Sequence, residues 1–392
     1  MTTPANVRRN NNLDALRAIA IFMVLGRHFF TFPAYATYWW ARTWLKVGWA
    51  GVDLFFVLSG FLVSGLLFDE FRERGKIDVS RFYIRRGLKI WPAFYALIAT
   101  GLLISLGRGH GVATAGLLPE LFFVQSYFPG IWTHTWSLAV EEHFYLILPV
   151  ALLPLMMRQR ERPFATMPYI FGAVAVFCLA CRFAVGWKES GTGNYLRYGF
   201  PTHLRIDGLM FGVLLSYYKR FQPAVFNRIA AWRGGWIVVA ASVALLSTLS
   251  FEERNMHTWG VTVLYLASGL LVAKAVAFEG SGPVQAMANF LAGIGVYSYS
   301  IYLWHMFYQE RVLSHLHITS FTLWCALYLP GAILFGIVAA KIIEFPVLRF
   351  RDRVFPRSSK SSLVSKNRPS AEELEERVDL EGMASLSRSG LL

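Results

Sequence analysis

Apolar residues in this chain come in long runs, separated by short polar and basic stretches. A run of about 20 apolar residues is enough to span the hydrocarbon of a bilayer. On that measure ten segments qualify, near 14–32, 51–69, 90–106, 137–157, 166–186, 203–218, 235–251, 258–278, 290–310 and 320–343. The sixth and ninth carry polar residues within them. No strand-period alternation is visible, and no repeat of roughly 20–50 residues. The pattern predicts an all-α integral membrane protein with about ten transmembrane helices.

Lysine and arginine collect in cytoplasmic loops, and this bias sets orientation. With the N-terminus inside, the cytoplasmic side takes Arg8, Arg9, the stretch FRERGKIDVSRFYIRRGLK, the segment MRQRER and the loop at 219–233, sixteen basic residues in all. The opposite side takes six: Arg42, Lys46, Arg108, Lys188, Arg197 and Arg254. An even number of spans returns the C-terminus to the cytoplasm. Ala34-Tyr35-Ala36 resembles a signal-peptide cleavage site. The run before it carries Asp14, Arg17, Arg27 and His28, however, so an uncleaved first span is expected. After Phe350 the composition turns polar and serine-rich. Such a segment cannot bury enough apolar surface to offset its ordering entropy. The expected organisation is one membrane domain over 1–350 and a cytoplasmic, disordered tail over 351–392, with a short helix at AEELEERV.

Composition agrees with this picture. Hydrophobic residues make up 55% of the 392 and charged residues 16%, against about a quarter in a typical soluble domain. The 32 Phe, 17 Tyr and 13 Trp suit bilayer interfaces, where an apolar ring and a polar edge are both accommodated. The net charge of +14 would point to nucleic acid in a soluble protein. Here the cations lie between apolar runs and no nucleic-acid motif accompanies them, so no such partner is expected. Cys178 and Cys181 form a CxxC inside an apolar run. A zinc site needs four ligands, so these are read as small helix residues and no metal is expected.

Ionisable side chains inside a bilayer cost about 2.5–3.5 kcal/mol each on insertion scales and usually mark function. In LDALRAIAIFMVLGRHFF, Arg17 and His28 are eleven positions apart, close to three helical turns, and share a face with Asp14. The plainer alternative is a snorkelling arginine and an interfacial histidine. In SRFYIRRGLKIWP, Arg85, Arg86 and Lys89 cluster one turn after Arg81. They form either a positive-inside anchor or an anion site, since arginine offers forked donors to phosphate and lysine a point charge. In THTWSLAVEEHFYLILP, Glu141 and Glu142 need a partner from another helix, and His28 is one candidate for Glu141. His203, Arg205 and Asp207 in PTHLRIDGLMFG, and Tyr299, Tyr302 and His305 in YSYSIYLWH, are ambiguous taken singly. Lys274 is expected to snorkel to the inner face and Arg182 to the outer.

Taken together, NLDALRAIAIFMVLGRH, GWAGVDLFFVLSGFLVS, SRFYIRRGLKIWPAFY, HTWSLAVEEHFYLILP, RIDGLMFG, SYSIYLWH and Glu344-Phe345-Pro346 occur in this order. Over roughly 11–350 the chain resembles the acyltransferase-3 family, integral membrane proteins that O-acylate exported glycans, lipopolysaccharides and some antibiotics. The resemblance implies that the family's Arg and His, separated by ten residues, fall on Arg17 and His28. Its RxxR motif falls on Arg86 to Lys89, where lysine keeps the charge but loses the fork. The first carboxylate of its WSLxvE element falls on Glu141. Many relatives carry a C-terminal SGNH-type domain; this chain resembles the stand-alone members. The implied location is the bacterial inner membrane.

The expected reaction moves an acyl group, acetyl by family frequency, from cytoplasmic acyl-CoA to a hydroxyl of an extracytoplasmic or membrane-associated carbohydrate. Acyl-CoA is then a co-substrate, and no permanently bound cofactor is expected. Arg85, Arg86 and Lys89 would hold the donor. His28, with an ordinary pKa of about 6.5, would act as general base or as an acylated nucleophile. Glu141 would orient it and Arg17 would stabilise donor phosphate. Asp14, Trp136, Ser137, Arg205, Asp207, Tyr302 and His305 are further candidates. Two other functions fit the polar interior: a proton-coupled transporter or flippase, and a non-catalytic sensor on the same fold.

Overall fold

The computed structural model describes residues 10–28, 37–107, 114–158, 162–189, 194–249 and 253–356. The cleavage-like 34–36 and the tail beyond 356 lie outside the described residues. Those residues form helices and connecting turns, with no strand among them. The α-helices are α1 (Asn11–Arg27), α2 (Trp39–Gly48), α3 (Ala50–Arg74), α4 (Val79–Gly107), α5 (Thr114–Leu121), α6 (Trp136–Arg158), α7 (Met167–Glu189) and α8 (Tyr195–Tyr198). They continue with α9 (Ile206–Phe221), α10 (Pro223–Ala231), α11 (Gly235–Thr248), α12 (Val261–Ala277), α13 (Gly282–Gly295), α14 (Ser298–Arg311), α15 (Phe321–Ala339) and α16 (Phe345–Val354).

Local sequence sets several boundaries. Asn10 caps α1, its side chain accepting from the amides of Asn12 and Leu13, and Ser320 caps α15 in the same way. These bonds satisfy amides that have no partner within the helix. The α3 helix stops at Gly75, whose φ of 70° lets its amide turn back to the Phe71 carbonyl.

Six stretches are long and apolar enough to cross a membrane: Trp39–Arg74, Val79–Gly107, Thr133–Met157, Met167–Trp187, Met256–Ala277 and Phe321–Val354. The α10–α11 pair, bent by 58°, makes a seventh if counted as one span. The protein is thus an all-helical, multi-pass membrane protein. The remaining apolar segments of the sequence also lie on helices, but these are short or polar. The α1 helix has 17 residues and includes Asp14, Arg17 and Arg27, and α9 has only 16. The segment at 290–310 is not one helix: it divides between α13 and α14 at Val296–Tyr297.

The α3 helix is buried along most of its length and packs closely on α9. Glycines allow this contact. A methyl group at Gly60 would overlap the Leu209 carbonyl, and one at Gly212 would overlap the Val57 carbonyl. Backbones that approach this closely gain dispersion contacts that lipid cannot replace. Two ion pairs reinforce the packing. Arg205 Nη2 lies 2.8 Å from Asp53 Oδ1, and Arg182 Nη2 lies 2.8 Å from Asp207 Oδ2. Arg182 also donates to the Leu204 carbonyl and the Thr262 hydroxyl.

This corrects the sequence-based expectation for Arg182. It does not snorkel outward: it is 1% exposed and binds α7 to α9. The reason is Asp207, which would otherwise be an unpaired buried carboxylate. Lys274 does reach a helix end, donating to the carbonyls of Ala230 and Trp232.

The close approach of α3 and α9 is directly testable. Gly60→Ala and Gly212→Ala should each cost about 1–3 kcal/mol through overpacking, seen as a lower thermal unfolding midpoint in detergent. Gly293→Ala, where nothing lies within 4 Å of the added carbon, should show no loss.

Candidate functional site

His28 sits at the C-cap of α1. Donors from other helices reach carbonyls in the last two turns of α1 and at its cap. Trp44 Nε1 on α2 donates to Phe22 O at 3.0 Å, and the Tyr328 hydroxyl on α15 donates to Leu25 O at 3.2 Å. Gln309 Nε2 on α14 donates to His28 O at 2.8 Å. The end of α1 is therefore held from three sides.

Two more imidazoles meet His28. His305 Nε2 on α14 lies 2.9 Å from His28 Nδ1. His134, on the turn at Thr133–Thr135 before α6, has its ring centre 5.0 Å from that of His305 and 6.5 Å from that of His28. Carbonyls fix both added rings: His305 Nδ1 lies 2.6 Å from Tyr302 O, and His134 Nε2 lies 3.2 Å from Leu303 O. The Tyr302 hydroxyl donates to His134 O at 2.5 Å, so the 2.5 Å contact with Ser137 Oγ is one in which Ser137 donates. Each ring nitrogen used in these bonds is directed at a neighbour rather than at a common point. Among the described residues no group of three or more His, Cys, Asp or Glu could hold a metal ion.

A second polar cluster lies nearer the start of α1. Arg17 Nη1 is 3.5 Å from Asp14 Oδ1, the pairing expected from their spacing. Arg17 and Arg86 are both electrostatic neighbours of Lys89 and of Glu141. Arg86 lies over the Tyr145 ring, 4.6 Å from its centre. The Tyr145 hydroxyl donates to Glu141 Oε2 at 2.7 Å and in turn accepts a hydrogen bond from Ser59 Oγ at 2.5 Å. Glu142 accepts from Trp91 Nε1 at 3.2 Å. Lys89 Nζ is 3.1 Å from Glu344 Oε1, and Ser300 Oγ donates to Glu344 Oε2 at 2.7 Å.

Three helices carry both clusters. On α1, Arg17 and His28 are about 16 Å apart along the axis, at 1.5 Å per residue. On α14, Ser300 serves the cationic cluster and His305 the imidazoles. On α6 the order reverses, with Ser137 among the imidazoles and Glu141 and Tyr145 among the cations.

The sequence-derived candidates divide accordingly. His28, Tyr302, His305 and Ser137 are brought together, as are Arg17, Asp14, Arg86, Lys89 and Glu141. Arg85 is half-buried on the same helix as Arg86. Glu141 does not take the place expected for it beside His28: its carboxylate accepts from the Tyr145 hydroxyl, and His28 is paired with His305. The physical reason is position on α6: Glu141 lies one turn beyond Ser137, the residue on the His28 side, and its carboxylate is taken up by Tyr145 a further turn along. Arg205 and Asp207 are consumed in the buried ion pairs. Trp136 stacks on Phe200 at 4.6 Å and lies under the Arg205 guanidinium at 5.5 Å. His203 Nδ1 contacts the Tyr127 hydroxyl at 3.2 Å. Sequence reasoning missed His134, Gln309 and the Glu344 carboxylate, whose partners are remote along the chain; it also missed Tyr145, whose i, i+4 spacing from Glu141 was a local signal.

Glu120 on α5 braces the turn that carries His134. Its carboxylate accepts from the Thr135 hydroxyl at 2.8 Å and the Trp132 amide at 3.2 Å. Burial pushes its pKa from 4.5 up to about 7, against those hydrogen bonds.

The chain matches the family described as Acyltransferase domain over residues 10–341. It is 25% identical over 366 residues to the peptidoglycan O-acetyltransferase OatA of Listeria monocytogenes, covering 86% of this chain and 55% of that protein. It is 28% identical over 324 residues to the O-acetyltransferase OatA of Staphylococcus aureus, covering 75% of this chain and 49% of that protein. The chain thus spans about half the length of the curated relatives it matches. No solved structure matches it.

Two measurements probe these contacts. A carboxyl group whose pKa is raised by folding holds its proton in the folded state longer than in the unfolded state. Its stabilising contribution is therefore full below 4.5 and lost as pH rises to about 7. Glu120→Gln should flatten that decline in unfolding midpoint across the same window. For the ion pair, a double-mutant cycle of Lys89→Ala and Glu344→Ala should return a coupling of about 1–3 kcal/mol.

Proposed function

The chain belongs to the acyltransferase domain family, and from that premise we propose that it is a bacterial inner-membrane O-acyltransferase that takes an acetyl group from cytoplasmic acetyl-CoA and delivers it to a hydroxyl of a cell-envelope carbohydrate. In this reading the chain crosses the bilayer about ten times with both termini cytoplasmic, the short α1 and α9 included among the spans. The acetyl group and the glycan acceptor are suggested by the names of the relatives, one of which acts on peptidoglycan.

The observation that carries the reading is the separation of the two clusters along α1, α6 and α14. Acyl-CoA is strongly anionic, and Arg17, Arg86 and Lys89 gather at one end. The imidazoles gather about 16 Å away along α1. A donor held by its phosphates at the cationic end would extend its acyl arm toward the histidines. There His28 takes the proton of the acceptor hydroxyl as its oxygen attacks the thioester carbonyl. The C–S bond breaks, the ester forms, and the proton passes to the departing CoA thiolate. General-base catalysis of this kind contributes roughly 10²–10⁴-fold.

The two ends give different kinetic signatures. His28→Ala should reduce acetyl transfer by about 10²-fold or more, with donor KM little changed; wild-type turnover in a folded variant would remove the base role. Arg86→Ala combined with Arg17→Ala should raise KM for acetyl-CoA, and an unchanged KM would place the donor elsewhere. Mass spectrometry of cell-envelope glycans with and without the protein identifies the acceptor.

A further inference from the structure

We infer that His305 is a positioning residue that fixes the tautomer of His28, leaving the basic lone pair of His28 on Nε2. This deepens the proposed function and rests on His28 acting as the base.

The argument follows the protons. A backbone carbonyl can only accept a hydrogen bond, so His305 Nδ1, 2.6 Å from Tyr302 O, carries a proton. In the neutral imidazole the other nitrogen is then an acceptor. His305 Nε2 faces His28 Nδ1 at 2.9 Å, so the proton between them belongs to His28 Nδ1. With Nδ1 protonated, a neutral His28 has its lone pair on Nε2. That atom, on the far side of the ring from His305, would remove the proton from the acceptor hydroxyl. When it does, His28 becomes an imidazolium, and its Nδ1–H keeps its acceptor on His305.

Supporting contacts hold both rings in place. Gln309 bonds the His28 carbonyl from the same helix that carries His305. Tyr302 supplies its carbonyl to His305 and its hydroxyl to the His134 backbone. His305 is fully buried, which suits a residue that acts by orienting a neighbour. Histidine acting on histidine here resembles the usual carboxylate partner in role, but without a buried charge.

The test combines nitrogen NMR of protein labelled in its histidine rings with steady-state kinetics. His28→Ala identifies the His28 signals. In the wild type they should show the proton on Nδ1; a proton on Nε2 overturns the inference, whatever the activity. His305→Leu should lose that preference and lower kcat by about 10²-fold or more, on the scale that a wrong tautomer costs, with donor KM little changed. His305→Gln, whose side-chain carbonyl reaches the position of Nε2, should recover a large part of the loss. A folded His305→Leu with wild-type kcat also overturns it. If His28→Ala instead keeps full activity, the base role itself fails, while the NMR result still decides which nitrogen holds the proton.

Discussion

Hydrocarbon does not solvate charge, so an ionisable side chain within a membrane bundle is stable only beside a partner that lies within the bundle as well. Much of this structure follows from that requirement. Asp53, Asp207, Arg182 and Arg205 sit on or next to α3, α7 and α9, and their two ion pairs tie those elements together. Removing any one of the four would leave a buried charge uncompensated, a cost well above the net worth of the pair. The network also reaches the site. Arg205 lies over Trp136, the first residue of α6, and Trp136 stacks on Phe200. The turn with His134 comes immediately before that anchored tryptophan. Charges engaged in buried ion pairs therefore help set where one end of the imidazole cluster stands.

The imidazole cluster is organised differently, by hydrogen bonds to backbone carbonyls. Tyr302 O, Leu303 O and His134 O each accept from a side chain of the cluster. Tyr302 and Leu303 lie within α14 and His134 on the turn before α6; a carbonyl oxygen has two lone pairs, so one already used within a helix can still accept from a side chain. Such a site can be rigid without a fixed negative charge. It also keeps the imidazoles at a distance from Glu141, which belongs to the cationic cluster through Tyr145 and Arg86. A carboxylate beside His28 would have been a stronger partner, but it would also have needed burial among apolar helices.

The sequence made the membrane class, the helices and most of the site members legible, because periodicity and the rarity of ionisable residues in apolar runs are local signals. Arg17 and Asp14 pair as their i, i+3 spacing implies. Partners remote along the chain were not legible. Nothing in the spacing of GLKIWP points to Glu344, 255 residues away, and the expected Glu141–His28 contact failed for the same reason. Arg182 shows a second limit: a lone arginine in an apolar run suggests snorkelling until a buried aspartate on another helix is known. The division of 290–310 into α13 and α14 left no clear mark, since the break at Val296–Tyr297 has neither proline nor a charged residue.

The lysine at position 89, where the family resemblance leads one to expect arginine, has a local explanation in the Glu344 carboxylate. Its two oxygens are already divided: Oε1 faces Lys89 Nζ and Oε2 receives the Ser300 hydroxyl. An ammonium is a point charge and is satisfied by one oxygen. A guanidinium presents a planar fork that engages both oxygens of a carboxylate, so arginine here would compete with Ser300 for Oε2. Ser300 lies on α14, five residues before His305. The lysine thus permits a bond that ties α14 to the cationic cluster at one point while His305 meets His28 further along. It also means that Lys89 is partly neutralised by Glu344, whereas Arg86 rests on the face of Tyr145. Arg86 in turn is an electrostatic neighbour of Glu141 and Glu142, so both cations of the motif stand against carboxylates supplied by other helices.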